Sequence, residues 1–247
     1  MLYVIAGMAL LFLVIGLILS ENNARYLLSG YNTLSAAEQK KVDIKSYVAS
    51  FRKFHIVFAI SFLVIGSALS FFVSELAGGF FLGIYPIMAY IYFIATSRKY
   101  FRDTTAGKWQ SVCIVILIVT LIFVLALFIP GARESRLLIT NHNITLTGIY
   151  GEEMTSSDLE QIELVDHLPV IVTRSNGFAL GDIRKGYFRT ADGGTVKLIL
   201  NGSQSSYLLL TKSDQSKIYY SSGTESNEHL YNGLRSQLSK AVFKNPN

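Results

Sequence analysis

The chain has 247 residues, of which 51% are hydrophobic and 16% charged, against roughly 25% charged residues in soluble domains. That balance excludes an ordinary soluble protein. The net charge of +5 lies entirely in residues 1–130, which hold 10 Lys and Arg against 5 Asp and Glu, whereas residues 131–247 hold 12 of each. Excess positive charge confined to the apolar half belongs to membrane topology and gives no support to nucleic-acid binding. One cysteine, Cys113, excludes an intramolecular disulfide.

Residues 2–20 form a first apolar run without charge. A cleaved signal peptide would carry a basic residue ahead of its apolar core and a small-residue cleavage site. No Lys or Arg precedes Arg25, and Glu21-Asn22-Asn23 is a poor cleavage site, so an uncleaved transmembrane helix is the favoured reading. A polar connection follows over residues 21–53. In it Ser35 and Glu38 fit a capping box, predicting a short helix to about Phe51 with Val42, Tyr47, Val48 and Phe51 on its apolar face.

The second and third spans are expected at 54–74 and 76–97, as a tight hairpin. Gly79-x-x-x-Gly83 fits close helix packing, and Pro86 predicts a kink. The basic connection after it ends in Trp109, and the fourth span is expected at 110–130. The first and third connections carry ten basic residues and the second none. The excess of Lys and Arg on cytoplasmic loops then places both basic connections in the cytoplasm and both termini outside. The chain is thus expected in the cell membrane, multi-pass, with residues 131–247 extracytoplasmic.

Beyond Arg136 the pattern turns to short strands. A hairpin is predicted for 137–147 around Asn141-His142-Asn143, then strands at Ile149-Tyr150, 161–165 and 170–173. Two more hairpins follow, 186–200 across Asp192-Gly193-Gly194 and 207–221 across Ser213-Asp214-Gln215. Thr224 or Ser226 can cap a helix carrying Leu230, Leu234, Leu238 and Ala241 at helical spacing, with Lys240 and Lys244 near its end. The fold class is therefore an α+β membrane protein. Four transmembrane helices (residues 1–130) precede an antiparallel β-barrel or sandwich with a C-terminal capping helix (residues 131–247).

Two resemblances attach to specific residues. The stretches 162–169, 174–181 and 185–188 (IELVDHLP, RSNGFALG, KGYF) resemble bacterial PH-like domains appended to membrane segments, over about 144–238. Arg25-Tyr26-Leu27-Leu28-Ser29-Gly30-Tyr31-Asn32-Thr33-Leu34-Ser35 with Glu38 resembles the signature of an uncharacterised family of small bacterial membrane proteins, over about residues 1–100. The first implies a PH-like fold; neither implies a reaction.

Chemistry is sparse. His55, His142, His167 and His229 are dispersed, none at ligand spacing with another His or Cys, and His55 is expected at a membrane interface. The four spans hold no Asp, Glu, Lys or Arg, where an intramembrane enzyme or proton-coupled transporter would place them. No catalytic, cofactor-binding or metal-ligating residue is assigned, and no cofactor is expected. Arg174, Arg184, Lys185 and Arg189 are weighed as an anion-binding patch, which the zero net charge of this half opposes. Asn176-Gly177-Phe178 is either a partner loop or a β-bulge with Phe178 in the core, the bulge being favoured. The candidate partner-binding residues are Tyr31, Asn32, Asn176, Gly177 and Phe178. The expected partners are membrane lipids around four helices, an unidentified protein and a second copy of the chain. The expected role is non-enzymatic binding, scaffolding or sensing at the membrane surface, with a small transporter or channel carrying Pro86 and Gly78–Gly83 as the alternative.

Overall fold

The computed structural model describes residues 1–101, 104–140, 143–238 and 243. The chain divides into two units, Met1–Leu127 and Phe128–Asn247.

In the first unit, α1 (Leu2–Ile18) is followed by three single-turn helices, α2 (Ala24–Leu27), α3 (Ser29–Asn32) and α4 (Ala36–Gln39), then α5 (Ile44–Ala68), α6 (Glu75–Ser97) and α7 (Ala106–Ala132). Three segments are long and apolar enough to cross a membrane: Ile44–Val73, Glu75–Phe101 and Ala106–Ala132. The first predicted span falls short of that set. Asn23 ends α1 by accepting from the Ser20 backbone N–H at 2.7 Å and donating to the Ile18 carbonyl at 2.8 Å. What remains is an apolar helix of 17 residues.

The connection also differs from expectation. The Ser35–Glu38 capping box forms, but its helix ends at Gln39. Asp43 accepts from the Ser46 N–H at 3.1 Å and starts a new helix. Tyr47, Val48 and Phe51 are therefore the first turns of α5, continuous with the second span. The hairpin between α5 and α6 is as tight as predicted. A π-helical turn over Leu69–Val73 ends at the extended residue Ser74, whose hydroxyl caps α6 through the Ala77 N–H at 3.0 Å. α6 runs on through Pro86.

Glycines make close packing possible in this unit, and Gly78 and Gly79 of the predicted cluster are buried on α6. A Cβ at Gly16 would overlap His55 Cβ, and one at Gly78 would overlap the Ser70 hydroxyl. Ile5, Phe12, Phe58 and Phe62 fill the α1–α5 seam, and Phe81 and Tyr85 of α6 close over it. His55 is fully buried inside the bundle. Its Nδ1 lies 2.9 Å from the Phe51 carbonyl and its Nε2 3.2 Å from the Tyr90 hydroxyl. A histidine here satisfies both ring nitrogens inside an aromatic cluster, the requirement for burying a polar ring in an apolar bundle.

The two ends of this unit differ. Met1, Leu2 and Tyr3 lie beside Ser70, Phe71 and Glu75 at one end. Leu19, Ala24, Leu34, Val42, Tyr47 and Val48 pack with Phe93, Phe101 and Ala106 at the other. Both basic connections therefore meet on one side.

In the second unit, β1 (Leu137–Thr140), β2 (Asn143–Leu146) and β3 (Glu152–Thr155) form one sheet. β4 (Leu159–Val165), β5 (Ile171–Leu180), β6 (Ile183–Thr190), β7 (Thr195–Asn201), β8 (Tyr207–Lys212) and β9 (Lys217–Ser221) form a second, in the order β4-β8-β9-β7-β6-β5. All three predicted hairpins are present, although Asn141 and His142 lie outside the described residues. Ile149-Tyr150 is a turn, and the strand begins at Glu152.

The expected all-antiparallel arrangement is corrected, because β7 and β9 pair in parallel. The β8–β9 hairpin inserts beside β7 and leaves β4 and β5 as the edges. β7, β8 and β9 are buried on both faces, which is why they read as runs of Val, Leu, Ile and Tyr. One face packs on β1–β3 and α8 (Asn227–Gln237), the other around Phe188, Val196, Leu198 and Tyr219. Ser226 caps α8 through the His229 N–H at 3.1 Å. Lys240, Ala241 and Lys244 of the predicted helix end lie outside the described residues.

Lys185 is one of two buried lysines described in this unit, the other being Lys197. Lys185 is 1% exposed, and its Nζ donates to the carbonyl of Arg133, just beyond the last turn of α7. A cation at a helix C-terminus meets the negative end of the helix dipole. Ser135 continues the join: its N–H donates to Asn201 Oδ1 at 2.7 Å, and its carbonyl accepts from Asn201 Nδ2 at 2.7 Å and from Tyr220 Oη at 3.1 Å. Burial pushes the Lys185 ammonium down to about 8, against the opposing pull of Glu134.

Two outcomes follow. Gly16→Ala should lower stability by about 1–3 kcal/mol through overpacking, whereas Gly7→Ala, where nothing lies within 4 Å, should raise it by the helix propensity of alanine, up to ~1 kcal/mol. Thermal denaturation in detergent separates the two. The second concerns alkali. Between pH 8 and the ordinary lysine range the unfolded chain holds a proton that folded Lys185 has lost, so this group makes stability rise with pH across that window. Melting curves from pH 7.5 to 9.5 should show that rise, and Lys185→Met should flatten it.

Candidate functional site

A cavity of about 700 Å³ opens in the first unit where the connection, the end of α6 and the start of α7 meet. That volume is within the usual range for small-molecule sites, about 300–1,000 Å³. Leu27, Leu28, Tyr31 and Leu34 form one wall, Tyr47 a second, and Phe93, Ile94, Ser97 and Phe101 a third. Ala106, Trp109, Gln110 and Cys113 close it from α7. These last four stand at i, i+3, i+4 and i+7, so one helical face supplies them all. Tyr47 is the centre of the aromatic lining, with Phe101 at 5.0 Å and Phe93 at 6.0 Å between ring centroids.

Two side chains from α4 hold the covering segment in place. Gln39 Nε2 donates to the carbonyls of Tyr31 and Leu34, each at 3.2 Å. The Glu38 carboxylate caps its own helix through Ser35 and accepts from the backbone N–H of Thr105 at 2.9 Å. The Thr105 N–H, and after it Ser35, hold the Glu38 carboxyl down to about 2. Among the described residues the lining is aromatic and aliphatic, with Thr33, Ser97, Thr105 and Gln110 as its non-aromatic polar groups and no Lys, Arg, Asp or Glu. Gln110 Oε1 is buried without a hydrogen-bond partner, an unmet need that costs roughly 1–3 kcal/mol.

Below this cavity a smaller one of about 330 Å³ runs between α6 and α7. It is lined by Tyr90, Ile94, Cys113, Ile116 and Leu117 and shares Ile94 and Cys113 with the first.

The sequence-selected residues distribute unevenly. Tyr31 lines the cavity; Asn32, next to it, is exposed and does not. Asn176, Gly177 and Phe178 lie on β5, where the register shifts between Arg174 and Asn176. Gly177 faces Gly186 across the strand pair, with φ of +158° and +126°, and a Cβ on either would strike the opposite backbone. The bulge thus falls at Ser175, while Gly177 and Phe178 are in regular pairing and Phe178 is only half-buried. Phe178 packs against Gly131 and stands 6.2 Å from the Phe128 ring, on the last turn of α7. Asn176 is exposed and accepts from the Tyr150 hydroxyl at 3.1 Å. The weighed anion patch loses Lys185 to burial. Among the described residues, no group of three His, Cys, Asp or Glu is placed to hold a metal ion.

Sequence reasoning missed Gln110, Trp109, Ser97 and the role of Glu38. The available signal was Gln110 itself, a polar residue one turn inside an apolar span.

Trp109, the one tryptophan, reports on this site. Glu38 stabilises the fold while ionised. Its folded pKa is depressed, so that contribution is full above the ordinary carboxylate range and is lost as pH falls toward about 2. Trp109 emission should shift over that acid window, and Glu38→Ala should show the shifted emission already at neutral pH.

Comparison with family descriptions matches residues 6–101 to a domain of unknown function (DUF3784). No curated protein and no solved structure matches the chain. The N-terminal membrane unit, cavity walls up to Phe101 included, thus carries a domain of unknown function.

Proposed function

We propose that this is a membrane-anchored binding and sensing protein that holds a ligand in the cavity of its first unit and performs no chemistry on it. The cavity carries the reading. It is preformed, aromatic-lined and pinned by Glu38 and Gln39, and one polar atom in its wall lacks a partner. Among the described residues, the cavity lining holds no carboxylate or imidazole placed for acid–base work. The C-terminal unit is, on this reading, the output module that meets a protein partner. Its strands-then-helix order supports the PH-like assignment in general form, while the parallel β7–β9 pair gives it a connectivity of its own.

The topology belongs to the same proposal. α1 runs antiparallel to α5 over its length, with Ile5 near Gly66 and Gly16 against His55. Its start lies with the α5–α6 turn and its end with the basic connections. We take α1 as a fourth crossing, which puts both basic connections in the cytoplasm and the C-terminal unit outside.

Two experiments on the full chain test this. Purified protein should retain a ligand in near-stoichiometric amount, and Ser97→Trp, which fills the cavity, should lose it; equal retention, or none in either, would refute the binding site. In a Cys113→Ala background, Ser205→Cys should be labelled from outside the cell and Ser46→Cys only after permeabilisation. The opposite pattern would put the C-terminal unit in the cytoplasm.

A further inference from the structure

From the chemistry of the cavity wall we infer that the ligand is a membrane phospholipid with a primary ammonium headgroup, of the ethanolamine type. The inference rests on the binding reading above and names its ligand. Three observations carry it. The first is the position of the smaller cavity. Tyr90, Ile94, Cys113, Ile116 and Leu117 all lie within segments able to cross a membrane. An apolar groove between two such helices is surrounded by hydrocarbon, so an acyl chain is what fills it. It shares the walls Ile94 and Cys113 with the larger cavity, so the acyl chain and head of one amphiphile would sit on either side of them.

The second is the unmet acceptor. Gln110 Oε1 needs a donor, and a carboxylate or phosphate offers none. A primary ammonium offers three N–H groups; a choline head offers none. The third is the lining. Tyr31, Tyr47, Phe93, Phe101 and Trp109 present aromatic rings to the same space, and aromatic faces attract a cation. Among the described residues, the lining holds no Lys or Arg to repel it. The Glu38 carboxylate is held on the N–H of Thr105, itself a lining residue. Arg98, Lys99 and Lys108 line a separate hollow between α6 and α7.

Trp109 allows a direct test in the intact protein. The full chain in phosphatidylcholine nanodiscs is titrated with phosphatidylethanolamine bearing brominated acyl chains, and Trp109 quenching is followed. Quenching should saturate at a low mole fraction. Brominated phosphatidylglycerol and phosphatidylcholine should need about tenfold more, the equivalent of one hydrogen bond to a charged group. Gln110→Leu should abolish the preference. Gln110→Glu keeps the shape and adds charge, and should sharpen it, which keeps the test decisive if the leucine variant does not fold. Saturable quenching by phosphatidylglycerol in preference to phosphatidylethanolamine would overturn the ammonium assignment and leave the binding reading standing. Quenching that merely follows mole fraction for all three lipids would overturn both.

Discussion

The carboxylate of Glu38 joins two parts of the chain 67 residues apart. One oxygen accepts from Ser35 and closes the first turn of α4; the other accepts from Thr105, just before α7 begins. A carboxylate with two backbone N–H donors is strongly held in its charged form. Without this contact the covering segment would still keep the Gln39 bonds and its apolar packing. With it, two loops that separate the spans become walls of one cavity. The rest of the first unit is arranged to allow the contact: α5 begins at Asp43, so Tyr47 and Val48 turn inward under α4.

The membrane helices do different work. α1, α5 and α6 pack through glycine contacts and an aromatic core that absorbs His55. None of the α7 residues from Gly107 to Pro130 is buried. In water such a helix would be untenable; in hydrocarbon its exposed Val, Ile, Leu and Phe cost nothing, since lipid tails are as apolar as they are. α7 contributes to the cavity through its first two turns, and its last turn belongs to the C-terminal unit, where Lys185, Asn201 and Phe178 fasten it. Each end of α7 is thus tied by polar bonds or aromatic contact while its middle is left to the bilayer.

Much of this was legible in the residues. Apolar runs locate α5, α6 and α7, and the Ser35–Glu38 pair locates α4. Asp192-Gly193-Gly194 locates the β6–β7 hairpin, because such signals are local. What escaped depends on pairing at a distance. Nothing local tells that β9 lies parallel to β7, nor that Lys185 is buried while Arg184 beside it is not. The Gly78–Gly83 cluster pointed to close packing, and Gly78 bears that out against Ser70, but the contact of Gly16 with His55 escaped, because which helix faces which is set by tertiary packing. The cavity was half legible. Tyr31 was selected from the signature, but its partners come from three other segments, and Gln110 stands out only once its acceptor proves unpaired.

The central claim is that the two basic connections meet and close one cavity. It is tested most directly by cross-linking in native membranes. In a Cys113→Ala background, Glu38→Cys with Thr105→Cys should form an intramolecular disulfide under mild oxidation, and Asn32→Cys with Thr105→Cys should not. Failure of the first pair to cross-link, in protein that inserts normally, would contradict the account.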